Sequence, residues 1–423
     1  MDILIKNATI VTQNEKRDVL KGDILVRGEK IARISPSIDE KAELVLEASG
    51  KIAMPGLVNS HTHMAMTIFR GYGEDLPLHD WLEKKIWPIE ARETPDDALV
   101  SAQLSLIEML QGGTTCFGEM CITGAKEIKE AAEGIGVRGI VAQGLLDKVP
   151  GRTTESELAS MKKAVYPGSS LVKSSIGPHA PYTCSEELLV AAKEFADRNG
   201  MKYQLHVSET RREVLDLMKT QGKAPLEYLD SIGVMDSNSI FVHASWVSKR
   251  EIALAGKRKA NICSCPISNL KLATGGICPT TEYDAAGANF TLGTDSAASN
   301  NSLNMFESMK MCSLLQKHKY WKAETLGAQK ALDFATRNGA AALGWDCGSL
   351  EKGKLADIVL LERAANMRPE HDIIANIVYS AGPRNVSEVI INGRLIMEGG
   401  MIKSAVGGVL ERAQKTAEDI FNR

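Results

Sequence analysis

Short apolar segments alternate with helical segments along the sequence from about residue 55 to about residue 345. The apolar segments, counted from the one that ends at His61, number eight, and each is a nearly continuous run. Such runs are typical of parallel strands that helices cover on the outside. Eight strand–helix units over roughly 290 residues therefore predict an α/β fold, a (β/α)8 TIM barrel with some long loops.

An open, doubly wound sheet is the alternative architecture for such an alternation. That fold carries a glycine-rich phosphate-binding loop directly after its first strand. The corresponding stretch here, SHTHMAM at residues 60–66, contains no glycine. The barrel is therefore the favoured interpretation.

Both ends of the sequence have a different pattern, in which apolar and polar residues alternate between turns. The alternation is clear at residues 2–11, at residues 22–34 and again at residues 386–400. A period of two predicts half-exposed strands, and we expect the two ends to combine into one small β-sandwich. The predicted domains are a composite β-sandwich (1–54 with 350–405), a catalytic barrel (55–349) and a C-terminal helix (406–423).

The charge and cysteine patterns exclude several classes of protein. A net charge of -3 gives no polybasic field, so nucleic acid and anionic membrane surfaces are not expected partners. No window approaches the roughly 18 apolar residues of a membrane span, and the first residues lack the blocks of a signal peptide. Eight cysteines without a CxxC pair are typical of reduced thiols, which predicts a cytoplasmic protein.

Polar side chains gather where the predicted barrel strands end, which is where barrel enzymes carry their chemistry. These residues are His61, His63, His179, His206, Glu209, His243 and Asp295. A single strand-end histidine is readily explained as a buried imidazole bonded to the backbone. Five of the eight histidines of the chain stand at this one rim, however. Independent structural roles do not explain that concentration, and a shared site does.

A catalytic metal is the shared site that these residues predict. The candidate ligands are His61, His63, His206 and Asp295. This mixture of nitrogen and oxygen ligands suits Zn²⁺, and Fe²⁺ or Mn²⁺ is compatible with it. A catalytic zinc keeps a position for water and lowers the pKa of that water to about 7. His243 is predicted to orient the resulting hydroxide or to share its proton with Asp295, and Glu209 to shuttle a proton to the substrate. A purely structural metal is disfavoured, because such sites are closed and rich in cysteine.

The strand-end motifs together resemble the amidohydrolase superfamily, and more closely its aminohydrolase branch. The motifs are PGLVNSHTHMAM (55–66), GPHAPYT (177–183), HVSE (206–209), VHA (242–244) and GTDSAASNN (293–301). Binuclear members carry a lysine at the end of strand 4, where this chain has His179, and Lys173 lies near the start of that strand. The chain therefore resembles the mononuclear subtype. With the loop at residues 69–91, it is most similar to the 5'-methylthioadenosine/S-adenosylhomocysteine deaminases, which include archaeal 5'-deoxyadenosine deaminases.

This resemblance implies an activity and a set of residue roles. The activity is hydrolytic deamination of the adenine ring of 5'-modified adenosines to inosine derivatives and ammonia, with one zinc ion per subunit of a homodimer or homotetramer. His61, His63, His206 and Asp295 would bind the zinc ion. Glu90 would contact the ribose hydroxyls, and His179 and Glu209 the purine. His243 would lie beside the hydroxide, and Asp295 would take its proton.

One position departs from the pattern of members that act on S-adenosylhomocysteine. Those members place arginines where they can pair with the amino-acid carboxylate. Here Gln143 stands at one such position, and Arg152 is available for the other. Because a neutral amide cannot make the charge-assisted contact of an arginine, we expect broader acceptance of small 5'-groups.

Three other functions are compatible with parts of the pattern. Guanine deaminase and triazine hydrolase share the metal ligands but do not need a ribose-binding carboxylate such as Glu90. A metal-free scaffold protein is the third, and it would be expected to have lost ligands that this chain retains.

Overall fold

The computed structural model describes residues 1–163, 165–166, 169–404 and 406–423. Its strands, in chain order, are β1 (Ile3–Val11), β2 (Val19–Arg27), β3 (Lys30–Ser35), β4 (Leu44–Glu47), β5 (Ile52–Pro55), β6 (Leu57–Thr62), β7 (Thr114–Cys121), β8 (Arg138–Leu145), β9 (Val172–Pro178), β10 (Tyr203–Val207), β11 (Ser239–His243), β12 (Asn261–Ser264), β13 (Asn289–Leu292), β14 (Ile358–Leu361), β15 (Val386–Ile391), β16 (Arg394–Glu398) and β17 (Met401–Ile402).

The helices fill the connections between these strands. In chain order they are α1 (Leu78–Trp81), α2 (Trp87–Glu90), α3 (Pro95–Gln111), α4 (Ala125–Ile135), α5 (Thr154–Lys163), α6 (Glu186–Arg198), α7 (Arg211–Gln221), α8 (Pro225–Ser231), α9 (Lys249–Arg258), α10 (Pro266–Lys271), α11 (Thr280–Ala286), α12 (Ala297–Asn300), α13 (Met305–Tyr320), α14 (Ala328–Phe334), α15 (Arg337–Leu343), α16 (Ile373–Tyr379) and α17 (Val409–Asn422). Short 3₁₀ turns lie at Met64–Phe69, Ala365–Met367 and Pro383–Asn385, and one π-helical turn lies at Leu82–Ile86. Within the described ranges, no helix is both long and apolar enough to cross a membrane.

Strands β6 to β13 form one parallel sheet in which every strand pairs with its neighbours in sequence. The first and last strands approach each other as well: the Asp295 N–H donates to the His61 carbonyl at 3.0 Å, and the Ser60 and Thr291 hydroxyls lie 2.6 Å apart. The sheet is therefore a nearly closed barrel. This arrangement confirms the predicted (β/α)8 fold.

Several helices begin at a side-chain cap that the sequence provides. At α3, the Thr94 side chain accepts from the Asp97 N–H, and the Asp97 carboxylate accepts from the Thr94 N–H. Pro95 occupies the first helical position, where no N–H partner is needed, and Gly112 caps the end of the helix. This helix starts a few residues after residues 78–90, which line one side of the candidate site described below.

Both ends of the chain combine in a second, mixed sheet, as predicted. Its strand order is β17-β16-β15-β14-β5-β1-β2-β3, and β4 pairs with β1 in parallel. One face of these strands forms an apolar core of its own, which includes Ile3, Ile5, Ile24, Ile358 and Ile390. The alternate side chains of β14 and β15, such as Val359 and Val389, belong to the larger core cluster, so these two strands are buried on both faces. The predicted half-exposure is therefore wrong for residues 386–391. The predicted domain boundary at residue 405 lies outside the described residues.

Residues 78–90, here called the wall segment, comprise α1, the π-helical turn and α2. Its apolar side chains pack in a cluster that includes Trp81, Ile86 and Ile89. Ile420 of α17 belongs to the same cluster and is fully buried. The last helix of the chain packs on α3 and on the 3₁₀ turn Met64–Phe69, and this apolar cluster connects it to the wall segment.

Candidate active site

A cavity with an empty volume of about 750 Å³ opens at the C-terminal ends of the barrel strands. All but one of the strand-end residues singled out in the sequence line it, and the wall segment closes one side. The polar lining consists of His63, Glu90, His179, Tyr182, His206, Glu209, His243, Asp295, Ser296 and Ser299. His61 lies behind it, fully buried at the end of β6. A concave, largely apolar site with a few convergent polar groups suits a small-molecule ligand.

Three imidazoles converge on one point. The Nε2 atoms of His61 and His63 are 3.1 Å apart, those of His61 and His206 are 3.1 Å apart, and those of His63 and His206 are 3.2 Å apart. His61 and His63 reach this point from the end of β6, where residues two apart share a face, and His206 reaches it from β10. These three nitrogens satisfy the spacing of a metal site.

The other ring nitrogens show why these atoms need a cation. His63 Nδ1 donates to the Met120 carbonyl at 2.7 Å, and His206 Nδ1 donates to the His179 carbonyl at 2.8 Å. Because a carbonyl only accepts, the proton of each neutral ring lies on Nδ1, and each Nε2 presents a lone pair. Such lone pairs cannot bond to each other. Around a tetrahedral ion with ligands at about 2.0–2.1 Å, neighbouring ligand atoms lie roughly 3.3 Å apart, which fits the observed spacing.

Burial favours the neutral form of His61 and His206. It lowers the pKa of His61 and His206 well below their usual value, and neighbouring imidazoles add to the effect. It also lowers the pKa of His179 to about 3, with further contributions from His63 and His243. Neutral imidazole is the form that binds a metal ion or accepts a proton.

Asp295 stands beside the histidine triad, three residues beyond the end of β13. Its Oδ1 is 3.5 Å from His63 Nε2 and 3.9 Å from His61 Nε2. The Ser268 hydroxyl donates to its Oδ2 at 2.6 Å and the Ser296 N–H donates to its Oδ1 at 2.8 Å. Burial opposes its ionisation, but the interaction with the nearby imidazoles, His63 first, and the Ser268 hydrogen bond lower the pKa of Asp295 below its ordinary value. This carboxyl is therefore ionised at neutral pH.

Glu209 reaches the same cavity because the chain turns directly after β10. Ser208 has a φ of 50°, and the Glu213 carboxylate accepts the N–H groups of Ser208 and Glu209 at 2.8 and 2.9 Å. Glu209 thus faces the cavity together with His206, although it lies three positions further along the chain. Burial, followed by the charges of Asp295 and Glu213, raises the pKa of Glu209 well above its usual value.

His243 ends β11 with a φ of 70°, a strained conformation for a residue other than glycine. Asp295 has a similar φ of 66°. The Nε2 atom of His243 lies 3.6 Å from Glu209 Oε2, and the Asn269 amide donates to His243 Nδ1 at 3.1 Å. Left-handed residues at three strand ends, counting Ser208, indicate that local strain aims the side chains into the site.

Glu90 lines the cavity from the end of the wall segment. Burial raises its pKa to about 7, and the charge of Arg152 acts in the opposite direction. Arg152 itself is not among the lining residues: its guanidinium lies 3.3 Å from Glu157. Gln143 donates to the Ile122 and Gly144 carbonyls at 3.1 and 3.2 Å.

The remaining lining is apolar, and no lysine or arginine lines the cavity in the described part of the chain. The larger apolar side chains are Met66, Trp81, Leu82, Trp87, Met120, Ile122 and Leu272. Lys173 lies away from this lining, donating to the Gly344 carbonyl at 2.9 Å. The end of the fourth barrel strand therefore offers His179 and no lysine.

Sequence reasoning missed three residues that support the site: Glu213, Ser268 and Asn269. Ser268 and Asn269 follow shortly after a barrel strand and Pro266. Polar residues at the end of a barrel strand are candidates for the site, and this position could have indicated them. Glu213 stands at the third position of α7 behind the cap Thr210, a spacing typical of helix starts.

Comparisons with known proteins fit this geometry. The amidohydrolase family model matches residues 52–396. The chain belongs to the amidohydrolase family. It is 40% identical to a 5'-deoxyadenosine deaminase of Methanosphaera stadtmanae, over 94% of this chain and 93% of that protein. It is 39% identical to a 5-methylthioadenosine/S-adenosylhomocysteine deaminase of Archaeoglobus fulgidus, over 98% of each.

A solved structure extends the likeness to three dimensions. The zinc-bound adenosine deaminase of Xanthomonas campestris superposes with a TM-score of 0.95 at 31% identity, covering 100% of this chain and 99% of that one. The resemblance stated from the sequence motifs is thereby confirmed. This amidohydrolase has a histidine triad that fits the metal dependence of its family.

Proposed function

We propose that this amidohydrolase removes the amino group from the adenine ring of 5'-modified adenosines, which yields the inosine derivative and ammonia. The observation that carries the proposal is the convergence of three imidazole Nε2 atoms, 3.1–3.2 Å apart, beside two buried carboxyl groups in one cavity. The names of the full-length relatives support this reaction.

We propose zinc as the metal, held by His61, His63, His206 and Asp295. The lone pairs of the three Nε2 atoms and the ionised Asp295 supply the nitrogen and oxygen donors that Zn²⁺ accepts. When bound, such an ion lowers the pKa of a water molecule to near 7 and so provides a nucleophile at neutral pH. The zinc in the Xanthomonas structure supports this choice.

The two carboxyl groups have complementary roles in the proposal. Glu209 holds its proton more tightly than an ordinary glutamate because burial, followed by the neighbouring carboxyl groups of Asp295 and Glu213, raises its pKa. It can therefore donate that proton to a ring nitrogen of adenine, which makes C6 more electrophilic. Asp295 is ionised and can take the proton that the attacking water releases and pass it to the departing amino group.

The substrate is held by groups on opposite sides of the cavity. We propose that Glu90 accepts hydrogen bonds from the ribose hydroxyls and that His179 contacts the purine. Trp81 and Trp87 of the wall segment supply flat apolar surface in the same lining. The substrates of guanine deaminase and triazine hydrolase have no ribose, so Glu90 would have no hydroxyl groups to bind in those reactions. Glu90→Gln should therefore raise the nucleoside KM and leave kcat within a few-fold of the parent value.

The 5'-substituent is proposed to be small and uncharged. The acidic side chains Glu90, Glu209 and Asp295 line the cavity, and no cation does so in the described residues. A substrate carboxylate would therefore be desolvated without a partner, which is costly. Arg152 is engaged with Glu157 and would have to leave that ion pair to compensate. We expect 5'-deoxyadenosine and 5'-methylthioadenosine to be used more efficiently than S-adenosylhomocysteine.

The test is an ammonia-release assay with adenosine, 5'-deoxyadenosine, 5'-methylthioadenosine, S-adenosylhomocysteine and guanine, together with metal analysis of the purified protein. About one zinc ion per chain and the highest kcat/KM on a small 5'-modified adenosine are expected. Chelation should abolish activity and zinc should restore it. His206→Ala should lose the metal, and His318→Ala, which changes a histidine of α13, should keep it. Turnover of guanine alone, or metal content unaffected by His206→Ala, would overturn the proposal.

The homo-oligomeric state and the cytoplasmic location stay predictions. Analytical ultracentrifugation of the purified protein would distinguish a dimer or tetramer from a monomer.

A further inference from the structure

Asn269 lies at the site without touching any proposed metal ligand. It is 6% exposed and sits on α10, directly after the strand β12. Its backbone is fixed on both sides: its N–H donates to the Cys265 carbonyl at 3.0 Å, and its carbonyl accepts from the Thr274 N–H at 3.1 Å. The short helix therefore holds this side chain in one place.

The amide of Asn269 makes one side-chain hydrogen bond in the described part of the chain. Its Nδ2 donates to His243 Nδ1 at 3.1 Å, and its Oδ1 is buried without a partner. An unpaired buried oxygen costs stability, about 1–3 kcal/mol in general. An apolar side chain of similar size would avoid that cost, so packing alone does not explain an asparagine here.

The hydrogen bond has a consequence for the imidazole. A neutral imidazole carries one proton, and a nitrogen that accepts a hydrogen bond cannot hold it. If Nδ1 of His243 accepts from Asn269, the proton lies on Nε2. That nitrogen lies 3.6 Å from Glu209 Oε2, on the side of the ring where the acidic groups of the site stand.

We propose that Asn269 is a positioning residue that fixes His243 as the Nε2–H tautomer, so that His243 acts in the cavity as a hydrogen-bond donor and not as a base. A donor at this place can hold an oxygen atom of the attacking water or of the developing product. Of the two roles predicted for His243, orienting the nucleophile and sharing a proton with Asp295, this selects the first. The role of His243 toward the attacking water rests on the proposed function, whereas the assignment of its tautomer does not.

The test is nuclear magnetic resonance of zinc-supplied protein labelled with ¹⁵N-histidine, because two-bond ¹H–¹⁵N correlations distinguish the two tautomers. The chain has eight histidines, and the signals of His243 are assigned by their loss in His243→Asn. We expect the Nε2–H tautomer in the parent protein. Asn269→Asp keeps the shape of the side chain but offers only acceptors, so a proton should appear on Nδ1. Asn269→Ala should leave the two tautomers mixed.

Asn300→Asp is the matched control. Asn300 is also buried, at 7% exposure, and its Oδ1 is also without a partner, but its amide donates to the Thr294 carbonyl and not to a histidine. The His243 signals should not change in this variant. In the assay, Asn269→Asp should lower kcat about 10- to 100-fold, the range for partners that orient functional imidazoles, with KM changed less than threefold.

Two results would overturn the proposal: a proton on Nδ1 of His243 in the parent protein, or the same tautomer in the parent and in both Asn269 variants. The parent spectrum alone decides the first, even where a variant fails to fold. A protein that lacks deaminase activity but shows the expected tautomers would refute the proposed function and leave the role of Asn269 intact.

Discussion

Glu209 and Asp295 are two buried carboxyl groups in one cavity, and their surroundings move their pKa values in opposite directions. The pKa of Glu209 is raised by burial and by neighbouring carboxylates, whereas imidazoles and a serine hydroxyl lower that of Asp295. Such a pair provides one acid and one base at the same pH. The division of roles therefore comes from the neighbours of each residue.

Glu209→Gln should remove the proton donor without removing a metal ligand. We expect kcat to fall by about 10²- to 10⁴-fold, the usual contribution of a general acid or base. Zinc content should stay near that of the parent protein, as metal analysis would measure. Asp295→Ala serves as the comparison, since it should lower both metal content and rate. A Glu209→Gln enzyme with near-parental kcat would contradict the assignment.

Glu93 gives a test of pH-dependent stability. It is 9% exposed, and neither carboxyl oxygen has a hydrogen-bond partner among the described residues. Burial, followed by the charges of Glu90, Asp97 and Glu119, raises the pKa of Glu93 to about 9. In the unfolded chain a glutamate has a pKa of about 4.3. Between these two values the unfolded chain gives up a proton that the folded protein keeps, so the free energy of unfolding falls as the pH rises.

Glu93→Gln removes this titration. Relative to the parent protein, the variant should gain about 2 kcal/mol of unfolding free energy between pH 7 and pH 8.5, because one proton corresponds to about 1.4 kcal/mol per pH unit. Urea unfolding at a series of pH values measures the difference. Glu83→Gln, an exposed change in the wall segment, is the control and should show no such trend. Parallel pH curves for the parent and Glu93→Gln would contradict the prediction.

At the scale of elements, α17 supports the wall segment from behind. Ile420 is fully buried in the same cluster as Trp81 and Ile86, and the rings of Phe421 and Tyr72 lie 4.6 Å apart. The guanidinium of Arg423 contacts both carboxylate oxygens of Asp97, at 2.5 and 3.0 Å, at the start of α3. We therefore expect the position of Glu90 to depend on a helix more than 300 residues away in sequence, through this shared cluster.

Ile420→Ala should loosen this support. Removing a buried isoleucine side chain costs about 2–5 kcal/mol of unfolding free energy. Because the wall segment carries Glu90, KM should rise about 3- to 10-fold, with a smaller effect on kcat. Leu410→Ala on the same helix is the control, since Leu410 is 63% exposed. Steady-state kinetics and urea unfolding measure both effects, and an unchanged KM in a destabilised Ile420→Ala protein would show that the helix does not position the site.

At the scale of the whole molecule, one buried ion pair joins the barrel to the second sheet. Arg138, the first residue of β8, is fully buried and donates to both oxygens of Asp357 at 2.5 and 3.1 Å. It also donates to the Ser170 and Asn392 oxygens, and its guanidinium lies 4.7 Å from the Trp345 ring. This junction is at the N-terminal end of the barrel strand, away from the catalytic face.

Asp357→Ala should leave the Arg138 charge buried without a partner and lower the free energy of unfolding by about 3–5 kcal/mol. The double change Arg138→Met with Asp357→Ala should recover part of this loss. Lys84→Ala breaks an exposed pair with Asp80 and should cost less than about 1 kcal/mol. Denaturant unfolding measures all three variants. Equal losses for the buried and exposed pairs would contradict the prediction.

The sequence predicts the barrel and the composite sheet well because both depend on periodicity, which is local. Strand ends such as His61 and His206 were recognised because barrel enzymes concentrate chemistry there. Asn269 was not recognised, since its partner His243 is 26 residues away and only the fold joins them. Glu93 was also missed, because a glutamate before a helix ordinarily lies in water. Pairings between distant residues leave no local pattern.

The direct pairing of β5 with β14 has a consequence for how the molecule is made. The N-terminal strands are synthesised first, but β14, which pairs with β5 in the middle of the sheet, is complete only when residue 361 has been synthesised. Loop closure over such a distance is slow. The early strands therefore spend most of translation with an unpaired edge, which is a site of aggregation until residues 358–361 have been made.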